Sequence, residues 1–259
     1  MSGESRLASD SKRRFSDRVE NYVKYRPNYP TAVVDYLRET AGLTPRSIIA
    51  DIGSGTGIST RLFLDGGNTV YAVEPNADMR AAAERWLATF SGFRSIDGSA
   101  EATTLSDASV DLAVAGQAFH WFDPALARRE FARILRPRGH AALMWNSRII
   151  SGSPFLEAYE QLLLEFGTDY QAIRHDHIEA DALQTFFGTP GYSLRGFPNA
   201  QLLTGEALLG RLLSSSYAPG PAHPRHNDMV QALSDIFERF QQDGHVKIAY
   251  QTQVYVGTL

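Results

Sequence analysis

Residues Ser47–Gly57 constrain the fold of this chain more than any other stretch: Ser-Ile-Ile-Ala-Asp-Ile-Gly-Ser-Gly-Thr-Gly. Ser47 to Ile52 is mostly apolar and partly β-branched, the composition of a strand covered on both faces. Gly53, Gly55 and Gly57 then alternate, and glycines so closely spaced lose backbone entropy on folding, so the position must need bare backbone. Ser59 to Leu64 follows without glycine or proline and reads as the first turns of a helix. A strand, a glycine turn and a helix N-terminus together make a place where a ligand meets backbone amides.

The spacing narrows the ligand. A dinucleotide fingerprint, G-x-G-x-x-G, would put its last glycine at Ile58, which disfavours an NAD-dependent oxidoreductase. A phosphate-binding P-loop ends in Gly-Lys-Ser/Thr, and no lysine stands here. A second strand-like run, Thr69–Val73, ends at Glu74. An acid at that place can accept both ribose hydroxyls of a nucleoside over the glycine turn, and would repel a 2′-phosphate. The pattern asks for a nucleoside with free ribose hydroxyls and no pyrophosphate.

Asp51-x-Gly53-x-Gly55-x-Gly57 followed by Glu74 resembles the class I S-adenosylmethionine-dependent methyltransferases. The run Gln117-Ala118-Phe119-His120-Trp121-Phe122 is similar to the subgroup with trans-aconitate methyltransferase-like proteins, the methyltransferase type 11-like set. The resemblance spans most of the chain. It implies an α/β fold, a doubly wound seven-stranded Rossmann-like sheet whose last strand is antiparallel, with a helical cap inserted after strand five. It implies S-adenosyl-L-methionine as cofactor and a small-molecule acceptor. Asp51, Gly53, Ser54, Gly55, Gly57, Glu74 and Pro75 are the implied cofactor residues of the first two strand ends. Met79 would lie against the adenine, where core filling is an equal reading. Ser99, Ala100 and Glu101 belong to the third-strand loop that in the resembled family reads the adenine edge; many members carry an acid where Ser99 stands, and Asp97, Glu101 or backbone atoms can substitute for it.

Ahead of the core, Tyr22, Tyr25 and Arg26 belong to a segment that Pro27 and Pro30 close. Such a segment is a packing arm or a lid. The resemblance favours a lid near the methionine end, where Arg26 can pair with a carboxylate. Val110–Ala115 is the fourth strand, and ligands of open α/β sheets sit at the carboxyl ends of strands near the switch point. Gln117 and Ala118 would then flank the methionine part, and His120 and Trp121 the acceptor. His120 is the candidate catalytic base, with an ordinary pKa of ~6.5, or else a structural histidine. Asn146 and Arg148 follow the fifth strand, Ala141–Trp145, and Tyr217 ends a later helix; these complete the substrate candidates.

The organisation expected is an arm or lid over 1–30, a cofactor-binding core over 31–150, a helical cap over 151–190 and completion of the sheet over 191–259. A net charge of −4 argues against a general nucleic-acid binder. With 0 cysteines the chain has no disulfide, thiolate metal site or cysteine nucleophile, which suits a cytoplasmic setting. No apolar run reaches a membrane-spanning length, and Met1–Asp10 lacks the apolar region of a secretory signal. His175-Asp176-His177, and His223 with His226, are too few ligands for a metal, so none is expected. The expected partner is a small molecule, not nucleic acid or membrane, and the expected state is a monomer or homodimer. The functional reading is methyl transfer to a carboxylate or hydroxyl of a small acceptor. The alternative is a catalytically inactive cofactor-binding or interaction protein of the same fold.

Overall fold

The glycine turn sits in the middle of a seven-stranded sheet ordered β3-β2-β1-β4-β5-β7-β6. The computed structural model describes residues 24–170 and 178–259. The strands are β1 (Ile48–Ile52), β2 (Thr69–Val73), β3 (Phe93–Ile96), β4 (Val110–Gly116), β5 (Leu135–Arg148), β6 (Tyr192–Leu203) and β7 (Val246–Gly257). β1 runs parallel to β2 and β4, in the registers Ile49↔Val70 and Ile49↔Leu112. β7 is antiparallel to both β5 and β6. The order reverses between β1 and β4, which is where doubly wound sheets bind ligands.

Side-chain alternation divides each central strand between two cores. Ile49, Val70 and Leu112 face one layer, built from α1 (Ala32–Ala41), α2 (Ile58–Asp65) and α3 (Ala77–Leu87), with Leu37, Phe63 and Leu87 buried against them. Ala50, Ile52 and Ala113 face the other, where α4 (Pro124–Ile134) and α6 (Ala180–Phe187) bring Phe131, Phe186 and Phe187. A third cluster joins α5 (Pro154–Phe166), α7 (Gly205–Leu213) and α8 (His226–Phe240) to Ile248 and Tyr250 of β7. That cluster is the helical cap.

The helix ends follow local chemistry. Asn76 caps α3 by accepting from the amides of Asp78 and Met79, and Asp123 caps α4 at Ala125 and Leu126. Gly42 closes α1 in the left-handed region, with φ 64°. Thr31 occupies the N-cap of α1 but its side chain makes no capping bond.

Three features differ from the sequence expectation. β5 begins at Leu135, not Ala141, because a register shift between Val110 and Leu112 carries Pro137–Gly139 into the strand. β6 begins at Tyr192, not at Phe197, where the sequence run to Thr204 reads as a strand, and it pairs along its whole length with β7. The segment 151–190 is not one helical unit: α5 joins the cap, whereas α6 packs on α4, with the Phe186 ring 5.0 Å from Phe119 and 5.1 Å from Phe131. Helical periodicity marks an apolar face and does not say which core receives it.

Phe186 is fully buried, so Phe186→Ala should destabilise the protein by about 3–5 kcal/mol in urea unfolding. A loss below about 1 kcal/mol, the surface range, would show that α6 is peripheral.

Candidate active site

The turn after β1 is held from both sides. Gly53 and Ser54 donate to the Val73 carbonyl, at 2.8 and 3.1 Å. Gly53 has φ +67°, and a Cβ there would lie 2.6 Å from the Cβ of Ala118, so the turns after β1 and β4 touch. Gly55 has φ +56° and its open side faces the Met79 sulfur, which a Cβ would approach to 3.7 Å. A side chain on either glycine would strain the backbone, and on Gly53 it would push the two turns apart. Gly57 is the N-cap of α2.

Two buried carboxylates frame the turn. Asp51 Oδ2 accepts from the hydroxyls of Ser59 at 2.7 Å and Thr60 at 2.6 Å. Asp51 Oδ1 is buried without a hydrogen-bond partner. Burial raises the Asp51 pKa to about 6, against the lowering effect of Thr60 and Ser59. Glu74 accepts from the Gly55 amide at 2.9 Å through Oε2, and from the Asn76 amide at 2.8 Å through Oε1. Its pKa is raised by burial, against the Asn76 and Gly55 amides and the Arg80 charge. Each Glu74 oxygen keeps a second lone pair, so the carboxylate can still take hydroxyls. Asp51 and Glu74 thus fit a ligand carrying ribose hydroxyls and an ammonium group. Pro75 is half-buried beside Glu74.

The third-strand loop is engaged within the protein. Ser99 and Ala102 exchange backbone hydrogen bonds, and Ala100 between them is buried. Glu101 accepts from the Asp123 amide at 3.1 Å. Asp97 pairs with Arg80 at 3.0 Å, and Arg80 also donates to the Glu74 carbonyl.

The N-terminal arm crosses the carboxyl ends of β4 to β6. The Tyr29 hydroxyl lies over Gly116, where a Cβ would come within 2.7 Å. Asn199 Nδ2 donates to the Asn28 carbonyl at 2.7 Å, joined by Asn146 Nδ2 at 3.5 Å. Tyr25 donates to Glu206 at 2.8 Å, and Arg26 donates to the Ser214 carbonyl at 2.9 Å. Tyr22 lies outside the described residues. Gln117 has φ +54° and accepts from the Asn146 amide at 2.6 Å, which ties the turn after β4 to β5.

The acceptor candidates fall into two groups. His120 and Trp121 are exposed and their rings meet at a tilt of 43°, 4.5 Å apart, with His120 edge-on to Trp145 at 5.2 Å. Trp145 belongs to the core under α4, whereas Asn146 and Arg148 share the other face of β5: Asn146 accepts from Thr252 and Arg148 reaches the cap. Arg148 is no surface residue. It binds Glu160 and donates to Tyr170 at 2.7 Å. Tyr217 stacks edge-on with Tyr170 at 4.9 Å, in the same cap.

Sequence reasoning missed Ser59, Thr60, Tyr29, Thr252 and Arg211. Only Arg211 left a signal: it falls at helical spacing on the stripe that Leu208 and Leu212 mark. Among the described residues no three His, Cys, Asp or Glu side chains gather as metal ligands, and His175-Asp176-His177 lies outside them. No described helix is long and apolar enough to cross a membrane.

Residues 50–143, from β1 into β5, match the methyltransferase domain family. An uncharacterized methyltransferase-like protein of Schizosaccharomyces pombe is 28% identical over 93% of both chains. An uncharacterized methyltransferase of Mycobacterium tuberculosis is 38% identical over 52% of both chains, so that match spans about half of each. The chain is a methyltransferase. Its class implies S-adenosylmethionine as the methyl donor. The fold is shared with the solved structure of a putative type II methyltransferase from Anaeromyxobacter dehalogenans, with TM-score 0.66 and 21% identity over 90% of this chain and 98% of the other. A putative methyltransferase from an antibiotic biosynthesis pathway of Anabaena variabilis has TM-score 0.59 and 22% identity, over 91% and 99%.

The folded pKa of Asp51, about 6, lies above its ordinary 3.8, so between these values the native methyltransferase holds a proton that the unfolded chain has released. The stability this group contributes to the ligand-free protein should therefore be fully present below about pH 4, fall as pH rises toward 6 and level off above it, a loss of at most roughly 3 kcal/mol. Asp51→Asn should flatten that slope in urea titrations run at pH 4 to 7. An unchanged slope would remove Asp51 as its source.

Proposed function

We propose that this methyltransferase moves a methyl group from S-adenosylmethionine to an oxygen of a small-molecule acceptor, a carboxylate or a hydroxyl. The observation that carries the reading is the Glu74 carboxylate against the Gly55 amide, at the carboxyl end of β2 and beside the β1–β4 switch point. A ribose placed there would meet the Glu74 lone pairs, with its base over Met79 and its methionine end toward Asp51, Gln117 and Ala118. The partnerless Asp51 Oδ1 would take the methionine ammonium, and Arg26 would approach the carboxylate.

Closure of the site by Tyr29 and by the Asn28 carbonyl under Asn146 and Asn199 supports a small acceptor over a macromolecule. Bound S-adenosylmethionine supplies a sulfonium methyl, whose carbon–sulfur electron pair stays on sulfur as the acceptor oxygen attacks in line. The chain's own residues have to align the two partners and exclude water. A carboxylate needs no base. A hydroxyl must lose its proton, and His120, beside Trp145, is the titratable group positioned to take it.

Calorimetric titration with S-adenosylmethionine, S-adenosylhomocysteine and NAD is the direct test: the first two should bind and NAD should not. Glu74→Gln should weaken binding of the first two by about 1–3 kcal/mol, the value of a charged acceptor lost to buried hydroxyls. Unchanged affinity would refute the placement of the ribose, and binding without turnover on any oxygen acid or alcohol would refute the enzymatic reading.

A further inference from the structure

Arg211 stands on α7 between Leu208 and Leu212 and is buried at 7% exposure. Its Nε donates to the Tyr250 hydroxyl at 3.3 Å and its Nη1 to the Ser215 hydroxyl at 3.1 Å. Among the described residues no carboxylate pairs with it. A guanidinium stays protonated at every physiological pH, so this is a charge buried without a counter-charge. Such an arrangement is strongly unfavourable unless something else neutralises it.

A second guanidinium shares the same surroundings. Arg148 follows Trp145 by three residues on β5 and sits opposite Tyr250 in the sheet register. Its Nη2 is shared by Glu160 and Tyr170, and its Nη1 is buried without a hydrogen-bond partner. Tyr159 and Tyr217 lie close enough to act electrostatically on both arginines. The phenols do not balance the charge, because burial holds Tyr159 and Tyr170 well above their ordinary pKa. Among the described residues Glu160 is the one carboxylate bound to either arginine, so two cations face one anion there.

The cluster borders the arm that closes the site. The Tyr25 ring packs so tightly on Gly210 that a Cβ there would lie 2.1 Å from it. Tyr250 donates to Gln201, and Gln201 in turn donates to the Tyr25 carbonyl at 3.0 Å. Arg26 donates to the carbonyl of Ser214, next to Ser215.

We propose that Arg211, with the partnerless Nη1 of Arg148 and the hydroxyls of Tyr217 and Ser215, binds a carboxylate of the acceptor, so that the substrate is an organic acid anchored by its charge in the cap. The proposal rests on the methyl-transfer reading for the word acceptor, and not for the existence of the anion site. The anchored carboxylate is a handle; it accepts hydrogen bonds from a planar fork and from side-chain hydroxyls, and the methylated oxygen is a different one.

The test is ligand-induced thermal stabilisation at constant ionic strength, with and without S-adenosylhomocysteine. The probes are succinate, citrate and benzoate, each against its primary amide. At least one carboxylate should raise the melting temperature of the wild type while its amide does not. Arg211→Gln should abolish that shift, and Arg211→Lys, which keeps the charge and loses the fork, should weaken the apparent Kd by about tenfold, the equivalent of one charge-assisted hydrogen bond. Arg211→Lys also serves if the glutamine variant fails to fold. The proposal is overturned if no carboxylate protects the wild type, or if the same carboxylate protects both variants equally. S-adenosylhomocysteine binding is measured separately by calorimetry: its absence would sink the donor assignment and leave the anion result standing.

Discussion

The hydrogen bonds from Ser59 and Thr60 to the Asp51 carboxylate hold the rest of the site in place. Asp51 is the penultimate residue of β1 and its partners lie in the first turn of α2, so the two bonds fix how far the chain can travel between strand and helix. The glycine turn is the slack in that distance. It folds back until Gly53 touches Ala118, and it aims the Gly55 amide at Glu74. A fully buried carboxylate is unfavourable by itself. Two short hydroxyl bonds offset part of that penalty, and the remainder is stored in the oxygen left without a partner.

The two halves of the site are built by opposite electrostatic means. Around the glycine turn the buried groups are acidic, and backbone amides and hydroxyls face them. Under the cap the buried groups are basic, and phenols and one carboxylate face them. A zwitterionic donor end and an anionic acceptor end would each find the complementary sign. The arm crosses between the two and is bound to both, through Tyr29 at Gly116 and through Arg26 at Ser214.

The central half was legible in the sequence because its signals are local. A both-face-buried strand such as Ile48–Ile52 admits few partners, and an acid after the next strand follows from the chain itself. Asp51, Gly53 and Glu74 are therefore found by spacing alone. The rest depends on encounters between distant segments. Nothing near Phe186 says that its helix will leave the cap and pack under Phe119. Nothing near Arg148 announces Glu160 and Tyr170, which turn a surface-like arginine into a buried one. The expected contact of Glu101 with an adenine edge meets competition from the Asp123 amide, which spacing could not foresee.

The reversal of β7 sets the order in which the molecule can be completed. Because it runs against β5, its early residues Tyr250 and Thr252 arrive at the edge where the parallel strands end. There Thr252 reaches Asn146 across 106 positions, and Asn146 reaches the arm at Asn28 across 118. The glycine turn, Asp51, Glu74 and Gln117 all belong to the first half of the sequence. A chain emerging from a ribosome thus holds every residue of that cradle while the last strand is still unmade. Closing the far wall waits for contacts of large sequence separation, the slow kind to form.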